Sequence, residues 1–517
     1  MRIGEGDGYL RSVIVLGADA PLDLESYWRI VTDHESVVID DDALAHVGAR
    51  RQAMEDHLAV GVPAYGVTTG LGFLADRPVA AADQADLQRS ILVGRAAGVG
   101  EPYSERIVRG TMLLRLNGFL AGFAGVTAEL CAFLVNRINE GWFPVVPGSR
   151  HGAAGETIPL CHLFETLIGE GHVFVDGRIE PAAEALASAG AEPYELRLKE
   201  GLALINGAPL GAALSADLAR RASSLLATAT DLAALTAALM GASWRPYSPR
   251  IAAMKGDPGQ RAVAARLVEL AGGAPDLDLP QAPVSLRVAP QVHGAITDVV
   301  EQLVAQAERE VCAITDSPLF LDAHDGEPEG FYPSGNFHSQ ALTFSLDATT
   351  VAMAQLGVLS ERRLARLLDE RYSALPHQLA ADGARGGSGL VSLHKTVVGL
   401  CAENRTFAAP VSLHSGDTSS GQEDVQSFSA LAAHQLGLVL DNVTTILAAE
   451  AVACRQAAGL HETLNETVAT PRVLPSRLAD LVATIAAHVE FVERDRSIAA
   501  DLLRVATLVN AGALRAP

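Results

Sequence analysis

Four loops combine glycine or proline with side chains able to do acid–base or electrostatic chemistry. YGVTTGLG (Tyr65–Gly72) sets a phenol among glycines. A phenol serves as a base near neutrality only where nearby positive charge favours its phenolate; otherwise the segment is a simple turn whose tyrosine positions a ligand by hydrogen bonding. HGAAGETIPLCHL (His151–Leu163) places Ala153, Ala154 and Gly155 just before Glu156, with small residues that permit tight backbone geometry. QAPVSLRVAPQVHGA (Gln281–Ala295) carries one guanidinium, Arg287, in an apolar stretch. A partly buried guanidinium needs an anion, which is either a substrate carboxylate or a structural one. SSGQEDVQSF (Ser419–Phe428) reads as a helix start, with Glu423 and Asp424 at the positive end of the dipole. His151 and His162 flank the small-residue loop without a partner at metal-ligand spacing, so structural roles and no metal are expected.

The elements that must position these loops differ along the chain. In the first two hundred residues, short apolar pieces (Ser12–Leu16, Ser36–Ile39) alternate with Gly- and Pro-bearing loops, and residues 106–139 carry apolar side chains at helical spacing. From about Pro209 onward, 3.6-residue periodicity predicts long helices over 215–240, 294–312, 340–368, 427–456 and 477–500. The stretches 272–283 and 382–389 read as loops at bundle ends. The fold class expected is mainly α: a loop-rich N-terminal domain (1–208) on a long helical bundle (209–517).

Composition narrows the function. Hydrophobic residues at 49% and charged residues at 19% exclude a disordered or low-complexity chain. Lys+Arg 39 against Asp+Glu 61 gives −22, which argues against nucleic-acid and polybasic membrane partners. The five cysteines (131, 161, 312, 401 and 454) include no CxxC pair and read as buried, reduced thiols of a cytoplasmic protein. The apolar patch Val13–Leu16 is too short for an export signal, Ala18-Asp19-Ala20 is not a credible cleavage site, and the alanine-rich window 223–242 reads as a bundle helix rather than a membrane span.

Taken together and in order, the loops resemble the aromatic amino-acid ammonia-lyase family: histidine, phenylalanine and tyrosine ammonia-lyases and related aminomutases. The likeness extends through AAGVGEP (Ala96–Pro102), MLLRLNGFLAGFAGV (Met112–Val126), KEGLALINGAP (Lys199–Pro209), TDSPL (Thr315–Leu319), SGNFHS (Ser334–Ser339), SERR (Ser360–Arg363) and AEN (Ala402–Asn404). The resemblance implies a fumarase/aspartase-like helical architecture and a homotetramer whose sites are each shared by three subunits. It also implies a small-molecule substrate and chemistry dependent on a methylidene-imidazolone electrophile (MIO), built autocatalytically from Ala-Ser-Gly. Onto this chain the resemblance carries Tyr65 as the general base and Arg287 as the carboxylate clamp. It carries Asn206, Gln291, Phe337, Glu403 and Gln422 as further substrate-site residues.

Departures accompany these matches. The tripeptide is Ala153-Ala154-Gly155. The methylidene arises when serine's β-hydroxyl leaves as water, and Ala154 has no such oxygen. Val284 stands where the family has a second catalytic tyrosine, Thr68 and Gly421 where it has asparagines, Cys312 at a further asparagine position, and Arg95 where it reads the substrate with a histidine. Arg95 is either an added positive group for a more acidic or larger ligand, or an ion-pair partner. Three functions follow. One is an MIO-independent lyase, dehydratase, isomerase or cyclase on a small carboxylate or amino-acid-derived substrate, without a cofactor. The others are an ammonia-lyase captured as a Ser→Ala variant and a non-catalytic partner or ligand-binding homologue. Substrate identity is not written in these residues.

Overall fold

A computed structural model of the chain describes residues 13–17, 22–148, 151–274, 281–381, 386–465 and 473–517. Ser149 and Arg150, residues 275–280 and 382–385 of the two expected bundle-end loops, and the expected non-cleaved Ala18–Ala20 lie outside the described residues, as do Met1–Ser12.

The protein is mainly helical, and the chain packs into two units. The first comprises residues 1–217, 305–344 and 411–433; the second comprises 218–304, 345–410 and 434–517. In the first unit, the short apolar pieces become a parallel strand pair, Val13–Leu16 on Ser36–Ile39, with Val13 opposite Ser36. Residues 106–139 form two helices, Glu105–Leu120 and Ala128–Asn139. The break falls where Gly122 and Gly125 take φ of 80° and 66°, a left-handed backbone that favours glycine. An antiparallel pair, Leu319–Leu321 with Gly330–Tyr332, folds TDSPL back beside SGNFHS, so that Ser334 N donates to Ser317 Oγ at 3.0 Å.

Long helices run through Pro209–Met240, Ala289–Val311, Gln340–Leu367 and Ser429–Asn465, each close to its predicted span. In the second unit three of them meet at Glu450, whose carboxylate accepts from Thr236 at 2.8 Å, Ser360 at 2.6 Å and Arg363 at 2.7 Å through two nitrogens. His293 bridges Arg363 and Thr230, and burial together with the Arg363 charge holds it well below its usual pKa, in the neutral form. The expected helix over 477–500 is instead two, Ser476–Ala486 and Ala499–Asn510. Tertiary hydrogen bonding overrides the periodicity: the Val492 backbone is captured on both sides by the Gln456 amide, at 2.9 and 3.0 Å.

Three segments, Glu200–Met240, Gln340–Leu367 and Ser429–Leu464, are long and apolar enough to cross a bilayer by length and composition. Their apolar windows are 78%, 56% and 72% buried within the fold. The first carries Asp231, fully buried and bonded by Arg266 and Arg515, an ion cluster suited to a packed protein interior.

Cys131, Cys161 and Cys454 are buried, whereas Cys401 is half-buried and Cys312 is exposed, contrary to the expectation of five buried thiols. Burial pushes the Cys131 and Cys161 thiols up to about 12, which keeps them protonated and unreactive.

Candidate functional site

A cavity of about 450 Å³ in the first unit brings together residues from every loop singled out there. Tyr65, Arg95, Ala154, Gly155, Asn206, Phe337 and Gln422 line it. Leu71, Leu202 and Ile205 supply apolar wall, and Ser317, Ser334 and Glu423 supply polar wall. Of the remaining site residues, Ala153 adjoins this wall as the first residue of the tripeptide. Thr68 turns into its own loop, where its Oγ1 accepts from Ala64 N at 2.8 Å.

The Tyr65 loop is fixed by steric necessity. Gly66 has φ 67°, and a Cβ there would stand 2.6 Å from Leu202 Cδ2 and 2.8 Å from Leu71 Cδ2. Gln88 Nε2 ties down the Gly66 carbonyl at 3.0 Å. The loop closes when Gly72 N donates to the Tyr65 phenol oxygen at 2.9 Å. That bond leaves the phenol's own proton free to donate to a ligand. Tyr65 is 37% exposed, open to a ligand in the cavity.

The tripeptide loop is held from two sides. Ala154 N donates to Glu423 Oε2 at 2.8 Å, and Glu423 Oε1 accepts from Ser419 Oγ at 2.9 Å. Behind the tripeptide, Glu156 accepts from Leu210 N at 2.7 Å and Gly211 N at 2.6 Å, at the start of the Pro209–Met240 helix. Burial pushes Glu156 up to about 8 against the lowering effect of those two donors. His162, on the following helix, accepts from Gly98 N at 2.8 Å and so ties AAGVGEP to the same loop. Its role is structural, and among the described residues no group of three His, Cys, Asp or Glu is arranged to hold a metal.

A buried charge triad ties together two of the segments that line the cavity. Asp316 receives Lys199 Nζ at 3.0 Å and Arg115 at 3.3 Å, and Lys199 also bonds the Ala124 carbonyl at 2.7 Å. Burial lowers the pKa of both cations, an effect Asp316 opposes. The triad thereby joins KEGLALINGAP to TDSPL, the segments that supply Asn206 and Ser317. Asn206 Nδ2 bonds the Ser317 carbonyl directly.

The other expected site residues fall in the second unit. Arg287 Nε donates to the Ala282 carbonyl at 2.8 Å, and the Gln281 amide oxygen, suitably turned, takes its two terminal nitrogens at 3.1 and 3.2 Å. These caps are neutral, and no carboxylate among the described residues pairs with Arg287. Val284 is 58% exposed, Gln291 has a buried Oε1 without a partner, and Glu403 Oε2 accepts from Asn442 at 2.8 Å.

Sequence reasoning placed Glu423 at a helix start; the helix begins only at Ser429. Ser419, Ser420 and Gly421 take φ of 55°, 57° and 87°, turning the chain so that Glu423 faces the tripeptide. The Ser-Ser-Gly sequence was the available signal, since it marks a turn and not a helix entry.

The prosthetic group implied by the resemblance does not fit these residues. A methylidene requires a leaving group on the central β-carbon, and Ala154 presents a bare methyl with its amide nitrogen engaged by Glu423.

Comparison with known proteins places the scaffold. The sequence pattern of the family described as aromatic amino acid lyase matches residues 22–478. A histidine ammonia-lyase from Aromatoleum aromaticum is 38% identical over 461 residues, covering 88% of this chain and 85% of that protein. The tyrosine aminomutase of Streptomyces globisporus superposes with a TM-score of 0.88 at 29% identity, covering 97% of this chain and 98% of that one. Ergothionase, an ergothioneine-degrading enzyme from Treponema denticola, gives 0.89 at 25% identity, covering 97% and 99%. With a family match over most of its length and these relatives, the chain belongs to the aromatic amino acid lyase family and is a lyase-family enzyme.

Proposed function

We propose that this enzyme works without MIO or any other cofactor on a small carboxylate or amino-acid-derived substrate. The reaction is a lyase-type elimination, or a dehydration, isomerisation or cyclisation that begins in the same way, by removal of a carbon-bound proton. Tyr65 moves that proton, Arg287 holds the substrate carboxylate, and Arg95 supplies fixed positive charge. The observation that carries this reading is the cavity wall at residue 154: a methyl group stands where the electrophile would be, in a cavity that Tyr65 also lines.

The working form is proposed to be a cytoplasmic homotetramer in which neighbouring copies contribute Arg287, Val284, Gln291 and Glu403 to each site. Support comes from the helix Gln340–Leu367, which exposes Phe344, Val351 and Val358 at seven-residue spacing, the pattern of a helix seam meeting another helix. The net charge of −22 favours neither nucleic acid nor a membrane surface as partner.

Turnover of small aromatic carboxylates before and after treatment with cyanide, a nucleophile that traps Michael acceptors, tests the reading. Undiminished turnover supports it. Quenching, or ammonia released from histidine, phenylalanine or tyrosine, overturns it.

A further inference from the structure

The second unit holds a cavity of its own, about 540 Å³ in volume, which shares no residue with the cavity of Tyr65. Three helices wall it: Pro209–Met240 near its end through Leu239, Ser429–Asn465 through Arg455 and Ala458, and Ser476–Ala486 through Val482 and Ala483. We propose that this cavity is a second binding site, which takes a small apolar monocarboxylate. The carboxylate pairs end-on with the Arg455 guanidinium, and the aryl or alkyl body lies on the leucine, alanine and valine wall.

Arg455 is placed to receive an anion. Its Nε is buried without a partner, and no carboxylate among the described residues pairs with its terminal nitrogens. The guanidinium carbon lies 5.9 Å from the centre of the Phe491 ring. A Cβ at residue 459 would stand 2.5 Å from Phe491 Cδ2 and 2.9 Å from Arg455 Nη1, so Gly459 leaves the room that ring and guanidinium occupy together. This packing holds the cation at the cavity in advance, which lowers the ordering cost of binding. The other polar side chains of the wall do not compete for it. His461 donates from Nε2 to the Leu239 carbonyl at 2.8 Å, and Glu462 is exposed and forms no ion pair with Arg455.

Charge and polarity separate the possible occupants. A cation is repelled by Arg455. A neutral apolar molecule covers the wall but also shields the guanidinium from water without compensating its charge. A phosphate ester carries up to two negative charges and calls for several donors, whereas Arg455 is the one permanent cation in this wall. A monocarboxylate matches that cation in charge, and its two oxygens match the fork of the terminal nitrogens. Its apolar body gains by leaving water for Leu239, Ala458 and Val482. The volume is that of a small-molecule site.

The test uses the full-length protein and a diazirine-bearing 4-phenylbutanoate, photolysed in place and mapped by peptide mass spectrometry. The matching amide and the matching primary ammonium serve as neutral and cationic counterparts. The carboxylate should label residues 455–462 or 479–486, and at lower concentration than either counterpart. The concentration that half-saturates this label reads the affinity of this site alone. Arg455→Gln should raise it about tenfold for the carboxylate, equivalent to ~1.4 kcal/mol, and leave the amide unchanged. Ala483→Phe enlarges an exposed side chain of the wall without touching the buried core, and should block carboxylate and amide alike, with circular dichroism showing both variants folded. Three results overturn the inference: carboxylate label confined to the peptides of Tyr65 and Ala154, an unchanged half-saturation in folded Arg455→Gln, or tighter labelling by the amide or the ammonium than by the carboxylate. The second variant and the comparison of the three probes on the unaltered protein decide the matter even where Arg455→Gln fails to fold.

Discussion

Two loops face one cavity and differ in what they retain. The Tyr65–Gly72 loop presents an ionisable oxygen that accepts a backbone N–H and is open to ligand. The Ala153–Gly155 loop is gripped by Glu423 in front and braced through Glu156 behind, yet presents only a methyl group. The contrast teaches that the acid–base wall and the electrophile wall of this pocket are separable: the backbone frame of the second is in place without the oxygen its chemistry would consume. On the function proposed above, what remains would work by proton transfer and fixed charge.

The sharpest way to break the comparison is at Tyr65. Tyr65→Phe removes the oxygen and little else, so turnover of any substrate should fall about 100- to 10,000-fold with KM nearly unchanged; equal kcat in steady-state assays removes the base assignment. Next is the buried triad that joins the segments supplying Asn206 and Ser317. Asp316→Asn leaves Lys199 and Arg115 buried without their counter-charge and should cost about 3–5 kcal/mol in denaturant unfolding.

A smaller effect tests the brace behind the tripeptide. Because the folded state holds Glu156 at about 8, above the model-compound value of 4.5, the folded chain binds more protons than the unfolded one between those values. This contribution to stability is therefore complete below about pH 4.5 and is lost as pH rises through about 8, at no more than ~1.4 kcal/mol per pH unit. Glu156→Gln should flatten that part of the stability–pH curve, and an unchanged slope would show that Glu156 titrates normally.

The smallest effect separates the loops by backbone. Gly66→Ala meets both a positive φ and Leu202, so a loss of about 1–2 kcal/mol is expected. Gly152→Ala meets nothing nearer than 3.7 Å and should stay within about 0.5 kcal/mol. Thermal denaturation of the pair measures the difference, and reversal of the order contradicts the two-loop account.

Much of this was legible in the amino-acid sequence, for physical reasons that differ from element to element. The four long helices show themselves through sustained apolar periodicity, whereas Tyr65 and the tripeptide stand out through the resemblance to the family, their glycine-rich loops being weak signals alone. Glu423 was misread because an acidic pair before an apolar run looks like a helix entry; only the left-handed turn at Ser419–Gly421 redirects it. The break after Ala486 was hidden because the bonds that cause it come from Gln456, thirty-six residues away in sequence. Burial of Glu156, likewise, depends on a helix start more than fifty residues on.

The central claim concerns one missing oxygen, and the intact mass of the purified chain tests it most directly. The account predicts the unmodified mass of the 517 residues, with no adduct after exposure to cyanide. A chain lighter by two waters that gains mass on meeting the nucleophile would contradict it.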